Sequence, residues 1–273
     1  MGFLLLNYAL EIEEGTNIAQ KNQKGGIMRK LFLCSWIFVF CFWGIVGAET
    51  LHLTTEDYPP FNMRVSGQST GGSSDPLSGI SVEIVKEMFK RAGMDFSLEI
   101  YPWKRAYNMA LNQADYGVFS TTRTEEREKL FQWVGPLVEN DWVLFAKKGG
   151  GIKVGSLDEA RKYKVGGYSG DAVSLFLEND HGFKLDLVTS DFLNAKKLDV
   201  GRIDLWATGK LIAPYLAKQE KTTGVEELFT FKKTQMYLAL NKAIPESTII
   251  KLNKMLEEMR KDGAIESIYA KYR

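Results

Sequence analysis

The sequence predicts an α/β fold, and two observations carry that expectation. From Glu49 onward, short apolar strand patterns alternate with amphipathic helical stripes, the arrangement expected of a largely parallel sheet covered by helices. The alternation also runs through two successive cycles, separated by the apolar segment Trp142-Val143-Leu144-Phe145-Ala146-Lys147, so two lobes are expected.

The elements follow in order. Thr50 to Thr54 reads as a strand ending at the turn Tyr58-Pro59-Pro60-Phe61, and a Gly/Ser-rich loop spans Ser66 to Ser74. Ile80, Ile84, Val85, Met88, Phe89 and Ala92 then fall on one helical face that Gly93 ends. Phe96 to Tyr101 is the next strand, Trp103, Ala106, Tyr107 and Ala110 a second helical stripe, and Tyr116 to Phe119 a third strand. The second cycle has strands at Lys164–Gly166, Leu185–Val188 and Arg202–Ala207, with helices at Ala172–Leu177 and Asn194–Val200. Thr234 to Leu240 reads as a returning strand. Pro245 opens a helix, Ser247 to Met259, and Gly263 closes it.

Composition narrows the function. The 273 residues are 45% hydrophobic and 25% charged, with 35 Lys plus Arg against 34 Asp plus Glu. A net charge of +1 gives no support to a nucleic-acid partner or a polyanionic surface. The two cysteines, Cys34 and Cys41, both lie in the apolar run Leu31 to Val46. That run follows Met28-Arg29-Lys30 and precedes Val46-Gly47-Ala48-Glu49, the anatomy of a secretory signal peptide. It falls short of the ~20 residues of a spanning helix, so cleavage after Ala48 is expected, leaving a cysteine-free chain in the periplasm. Residues 1–27, which precede this signal, fit an upstream start assignment, with Met28 the initiator. His52 and His181 stand apart, so no metal is expected. Nor is a cofactor, since neither a nucleophile elbow nor a phosphate-binding loop is present.

Four segments carry a resemblance to a known family: Glu56-Asp57-Tyr58-Pro59-Pro60-Phe61; Ser120-Thr121-Thr122-Arg123-Thr124-Glu125-Glu126-Arg127; Gly201-Arg202-Ile203-Asp204; and Leu252 through Gly263 to Tyr272. In order and spacing, residues 49–273 resemble the family 3 extracellular solute-binding proteins, the receptors of polar amino-acid ABC importers. The resemblance implies a two-lobed periplasmic-binding-protein-like fold. Lobe 1 would comprise residues 49–140 and 235–273, and lobe 2 residues 141–234. Two hinge strands would cross near 139–146 and 231–237, with a ligand cleft between the lobes. It also implies a monomer that captures a small polar ligand and hands it to an inner-membrane ABC permease.

Candidate ligand residues come from both sources. Ser120-Thr121-Thr122 reads as a strand-to-helix turn whose N–H groups and hydroxyls suit an anionic oxygen, and Arg127 adds a bidentate cation. The resemblance assigns Ser120, Thr122 and Arg127 to a ligand carboxylate and Tyr58 to an aromatic platform. The plainer readings are an Arg127 paired with a neighbouring Glu and a Tyr58 in the core. Trp103 lies near another cleft wall, although its helical stripe fits core packing equally.

The chain departs from the family at two positions. Where the family has an acid for the ligand ammonium, this chain has Gly209. In the loop Gly166-Gly167-Tyr168-Ser169-Gly170-Asp171, Asp171 replaces a carboxylate-binding threonine. Either Asp171 takes over the ammonium or the ligand is not a standard α-amino acid. Ser169 in the same loop is a further candidate, and Trp206 a cation–π wall or a core residue. Two alternative functions remain open: a cyclohexadienyl dehydratase-like enzyme with Glu56 and Asp171 as cleft acids, and a membrane-tethered sensory domain.

Overall fold

The computed structural model describes residues 50–65 and 76–272. The expectations for residues 1–27, for the Met28–Ala48 signal and for the Ser66–Ser74 loop lie outside the described residues. Among the described residues, no helix is long and apolar enough to cross a membrane.

The first half of the chain builds most of one sheet. It contributes β1 (Leu51–Thr55), the short hairpin β2 (Met63–Arg64) and β3 (Leu77–Ser78), α1 (Ile80–Ala92), β4 (Phe96–Ile100) and α2 (Trp103–Asn112). Then come β5 (Tyr116–Thr122), α3 (Glu125–Glu128) and β6 (Gln132–Glu139). The apolar face of α1 is buried through Ile80, Ile84, Val85, Met88, Phe89 and Ala92. Gly93 ends the helix in the left-handed region at φ 58°, where a residue without Cβ is cheapest. At the other end, Gly79 at φ 123° packs so tightly that a Cβ would lie 2.3 Å from the Phe61 carbonyl oxygen. Only glycine fits there.

The chain then crosses into a second sheet. Its elements are β7 (Trp142–Lys147), α4 (Leu157–Ala160), β8 (Val165–Tyr168), α5 (Ala172–Asn179) and β9 (Asp186–Val188). They continue with α6 (Phe192–Asp199), β10 (Leu205–Gly209), α7 (Ile212–Gln219) and β11 (Val225–Lys232). It returns through β12 (Gln235–Leu240) to the first sheet and closes with α8 (Glu246–Lys261) and α9 (Ala264–Ala270), which pack back on α1.

The strand orders are β4-β1-β5-β12-β6 and β11-β7-β10-β8-β9. Each sheet is half parallel and half antiparallel: β1 runs parallel to β4 and β5, while β12 runs antiparallel to β5 and β6. Likewise β8 runs parallel to β9 and β10, and β7 runs antiparallel to β10 and β11. The expected largely parallel sheet is therefore corrected to a mixed one, because the crossing strands enter each sheet against its βα units. At the two crossings, the Asn140 N–H donates to the Thr234 carbonyl at 2.9 Å and the Thr234 hydroxyl to the Asn140 carbonyl at 2.6 Å.

Candidate functional site

The carboxyl end of β5 points into the junction between the two sheets, where ligands sit in open α/β folds. Ser120, Thr121 and Thr122 are the last residues of this strand, not the turn that the sequence predicts. A bulge against β12 falls between the pairs Thr121↔Tyr237 and Val118↔Ala239. It leaves Ser120 at φ 58°, a conformation that costs a non-glycine residue and that bulges use to re-aim a side chain. The Ser120 hydroxyl donates to Asn62 Oδ1, and Asn62 Nδ2 donates to the Glu56 carbonyl oxygen at 2.9 Å, so the turn after β1 and the end of β5 are locked together.

Arg127 is 7% exposed and has no carboxylate within ion-pair distance among the described residues. Its Nη1 donates to the Thr122 carbonyl at 3.3 Å, and the guanidinium lies 5.4 Å from the Trp103 ring and 5.3 Å from the Tyr107 ring. The plainer reading of Arg127, a partner for a neighbouring Glu, does not describe it. Arg123 makes that pair instead, to Glu128 at 2.6 Å. A buried, unpaired guanidinium with free N–H groups is a ready receptor for an anion.

Asp171 and Glu56 lie close enough to act on this cation. Glu56, Asp171 and Asp191 are all buried. Burial pushes the Glu56 carboxyl up from 4.5 to about 8. A hydrogen bond from Tyr168 opposes the shift, and Asp171, Asp191 and Asp57 add to it. Asp171 is pushed up to about 7, by burial first and by Asp191 second, against its bonds to Ser174 and the pull of Arg127. Its Oδ1 accepts from the Ser174 N–H at 2.7 Å and caps α5. Asp191 is raised by burial, although Asn194 Nδ2 at 2.8 Å, Trp206 Nε1 at 3.0 Å and the Thr208 hydroxyl at 2.8 Å donate to it. Three partners make Asp191 an anchor inside the second sheet's packing.

The structure brings Tyr58, Trp103, Ser120, Thr122, Arg127 and Asp171 to one cavity, with Glu56, Asn140 and Trp142. Two bonds span it from the first sheet's side to the second: Trp103 Nε1 to the Gly170 carbonyl at 3.0 Å, and Tyr168 to the Glu56 carboxyl. The cavity is narrow, about 20 Å³, room for on the order of one water. A second space of about 460 Å³ shares Thr122, Arg127, Trp142 and Ala172 with it. Two candidates lie elsewhere. Trp206 is fully enclosed with its indole N–H spent on Asp191, so it packs the second lobe and does not wall the cavity. Ser169 is tied through its N–H to Val188 and is absent from the lining. Tyr168, Asn140 and Trp142 escaped the sequence reading. Tyr168 stands within the predicted loop but carries no role there, while Asn140 and Trp142 read only as part of a crossing.

Two mixed sheets joined by two crossings, with a buried guanidinium free of any ion pair between them, have the architecture of two-lobed ligand receptors. The sequence profile of the bacterial extracellular solute-binding proteins, family 3, matches residues 52–273, and this chain belongs to that family. The L-cystine-binding protein TcyJ of Escherichia coli (strain K12) is 25% identical over 217 residues, 79% of each chain. A probable histidine-binding protein of Neisseria gonorrhoeae is 29% identical over 209 residues, 73% of this chain and 76% of that one. Among solved structures, an ancestral arginine-binding protein bound to arginine superposes with a TM-score of 0.69 at 26% identity, covering 82% of this chain and 97% of that one.

Proposed function

We propose that this protein is the periplasmic, monomeric receptor of an ABC importer, exported by the Met28–Ala48 signal, and that its ligand is a cationic α-amino acid. The observation that carries the ligand class is the charge balance of the cavity. One unpaired guanidinium, Arg127, faces the ligand space together with Glu56 and Asp171. A carboxylate on Arg127 satisfies the first. Two positive groups, an α-ammonium and a side-chain cation, are what Glu56 and Asp171 need in order to ionise. The relatives named for arginine and histidine support the same class.

Calorimetric titration with L-arginine, L-lysine, L-histidine, L-cystine and L-glutamate tests the reading. The cationic amino acids should bind at least about tenfold more tightly than L-glutamate, a gap of about 1.4 kcal/mol. Tighter binding of L-glutamate would overturn it. One observation favours a dehydratase as second reading: Glu56 is held protonated near neutral pH, as a proton donor would be. Formation of an aromatic product from prephenate or arogenate would establish that activity, and none is expected.

A further inference from the structure

The segment that leads from the first sheet to the second carries two polar atoms with nothing to bond. Asn140 is 4% exposed and Trp142 1% exposed, and Asn140 Oδ1 and Trp142 Nε1 have no hydrogen-bond partner. Of the orphaned buried polar atoms among the described residues, only these two belong to side chains that line the cavity with Glu56, Arg127 and Asp171. Native proteins leave few such atoms, because each loses its hydration and gains nothing back. The two orphans are complementary, one an acceptor and the other a donor.

The surroundings of Asn140 are built to keep its amide in place. Gly209 ends β10, and its φ lies outside the left-handed range, so backbone conformation does not demand glycine there. Space does. A Cβ at position 209 would stand 2.1 Å from Asn140 Oδ1 and 3.0 Å from its Cγ. Meanwhile the Asn140 backbone is bonded to Thr234 on the returning crossing, and its Nδ2 lies 3.5 Å from the Met236 sulfur. The Trp142 ring is braced by Phe176 at 5.4 Å and Phe231 at 6.3 Å.

We propose that Asn140 and Trp142 read the two charged groups of the ligand's α-carbon: Asn140 Oδ1 accepts an N–H of the α-ammonium, and Trp142 Nε1–H donates to the α-carboxylate beside Arg127. The assignment rests on the cleft being an amino-acid site. Trp142 and Arg127 both line the same two spaces, which is why both donors are assigned to one anion. Asn140 shares its cavity with Glu56 and Asp171, which places its acceptor with the cation. Because both residues sit where the chain crosses between lobes, the ligand bonds directly to the part of the fold that bends on closure. Gly209 is a positioning residue that leaves room for the Asn140 amide.

Three probes separate the two contacts: L-arginine, agmatine (which lacks the carboxylate) and 5-guanidinopentanoate (which lacks the α-ammonium). Calorimetry on wild type, Asn140→Ala, Trp142→Phe and Gly209→Ala supplies the matrix, with melting curves to confirm folding. Asn140→Ala should weaken L-arginine and agmatine about tenfold or more and leave 5-guanidinopentanoate within about threefold. Trp142→Phe should weaken L-arginine and 5-guanidinopentanoate and spare agmatine. Gly209→Ala, which displaces the Asn140 amide without altering it, should reproduce the Asn140→Ala pattern. If wild type binds L-arginine and the variants weaken all three probes alike, or none, the hinge assignment is overturned while the cleft reading stands. If wild type binds none of the three, the cationic amino-acid reading falls and takes this assignment with it.

Discussion

Replacing Glu56 with glutamine should make the ligand-free protein lose less stability as pH rises from about 5 to about 8. Glutamine has the shape of the protonated acid and keeps an acceptor for Tyr168. The wild-type carboxyl titrates at 4.5 when unfolded and at about 8 in the folded protein, so folding favours its protonated form. That contribution is complete below pH 4.5 and is lost as pH rises through 8, at up to 1.36 kcal/mol per pH unit, about 5 kcal/mol in all. Asp171, raised to about 7, adds a loss of the same sign over a lower window. For a chain of this size, 5 kcal/mol corresponds to a fall of roughly 10 °C or more in melting temperature. Opening the cleft rehydrates Glu56 without unfolding, so part of the response should be a larger radius of gyration in small-angle scattering. Melting curves of both proteins from pH 5 to 9, with scattering at the extremes, measure the difference. Melting temperatures that run parallel within about 2 °C would refute the burial of a proton on Glu56.

Other expectations follow from the same site. Affinity for L-arginine should rise between pH 6 and 8, because a ligand cation favours the ionised forms of Glu56 and Asp171; a fall over that range would contradict the charge balance. Arg127→Ala should cost ~2–4 kcal/mol of binding, with Arg127→Lys recovering only part because a point charge lacks the fork geometry, and calorimetry reads both. Trp206→Phe removes a donor from Asp191 and should lower stability by ~1.5–3 kcal/mol with ligand affinity unchanged. A loss of affinity at full stability would return Trp206 to the cavity wall.

The helical stripes and strands of the βα units were legible because burial on one face imprints a period. The Ile80–Ala92 helix with its Gly93 stop needs no tertiary information. The α7 helix carried no such clarity, since Pro214 interrupts its pattern. The β6 and β11 strands pair antiparallel at sheet margins and alternate weakly. Arg127 is legible as a candidate from its type after a strand end, and Asp171 only as a departure from the family resemblance. Asn140 is not legible, because its neighbour Gly209 is distant in sequence and reads alone as a missing acid. Only the fold shows that the space left at Gly209 is filled by the Asn140 amide, from the connection between β6 and β7.

The position of β12 also fixes an order of assembly. It lies between β5 and β6, yet it emerges from the ribosome after every strand of the second sheet. The second lobe is continuous in sequence, and its first and last strands are already paired, Trp142 opposite Lys232. It can condense as soon as Lys232 is made. The first lobe has to wait, with β5 and β6 both presenting bare edges, until Gln235–Leu240 arrives to join them. Until β12 is made the first sheet keeps two unpaired edges, and that interval is when the chain is most open to mispairing.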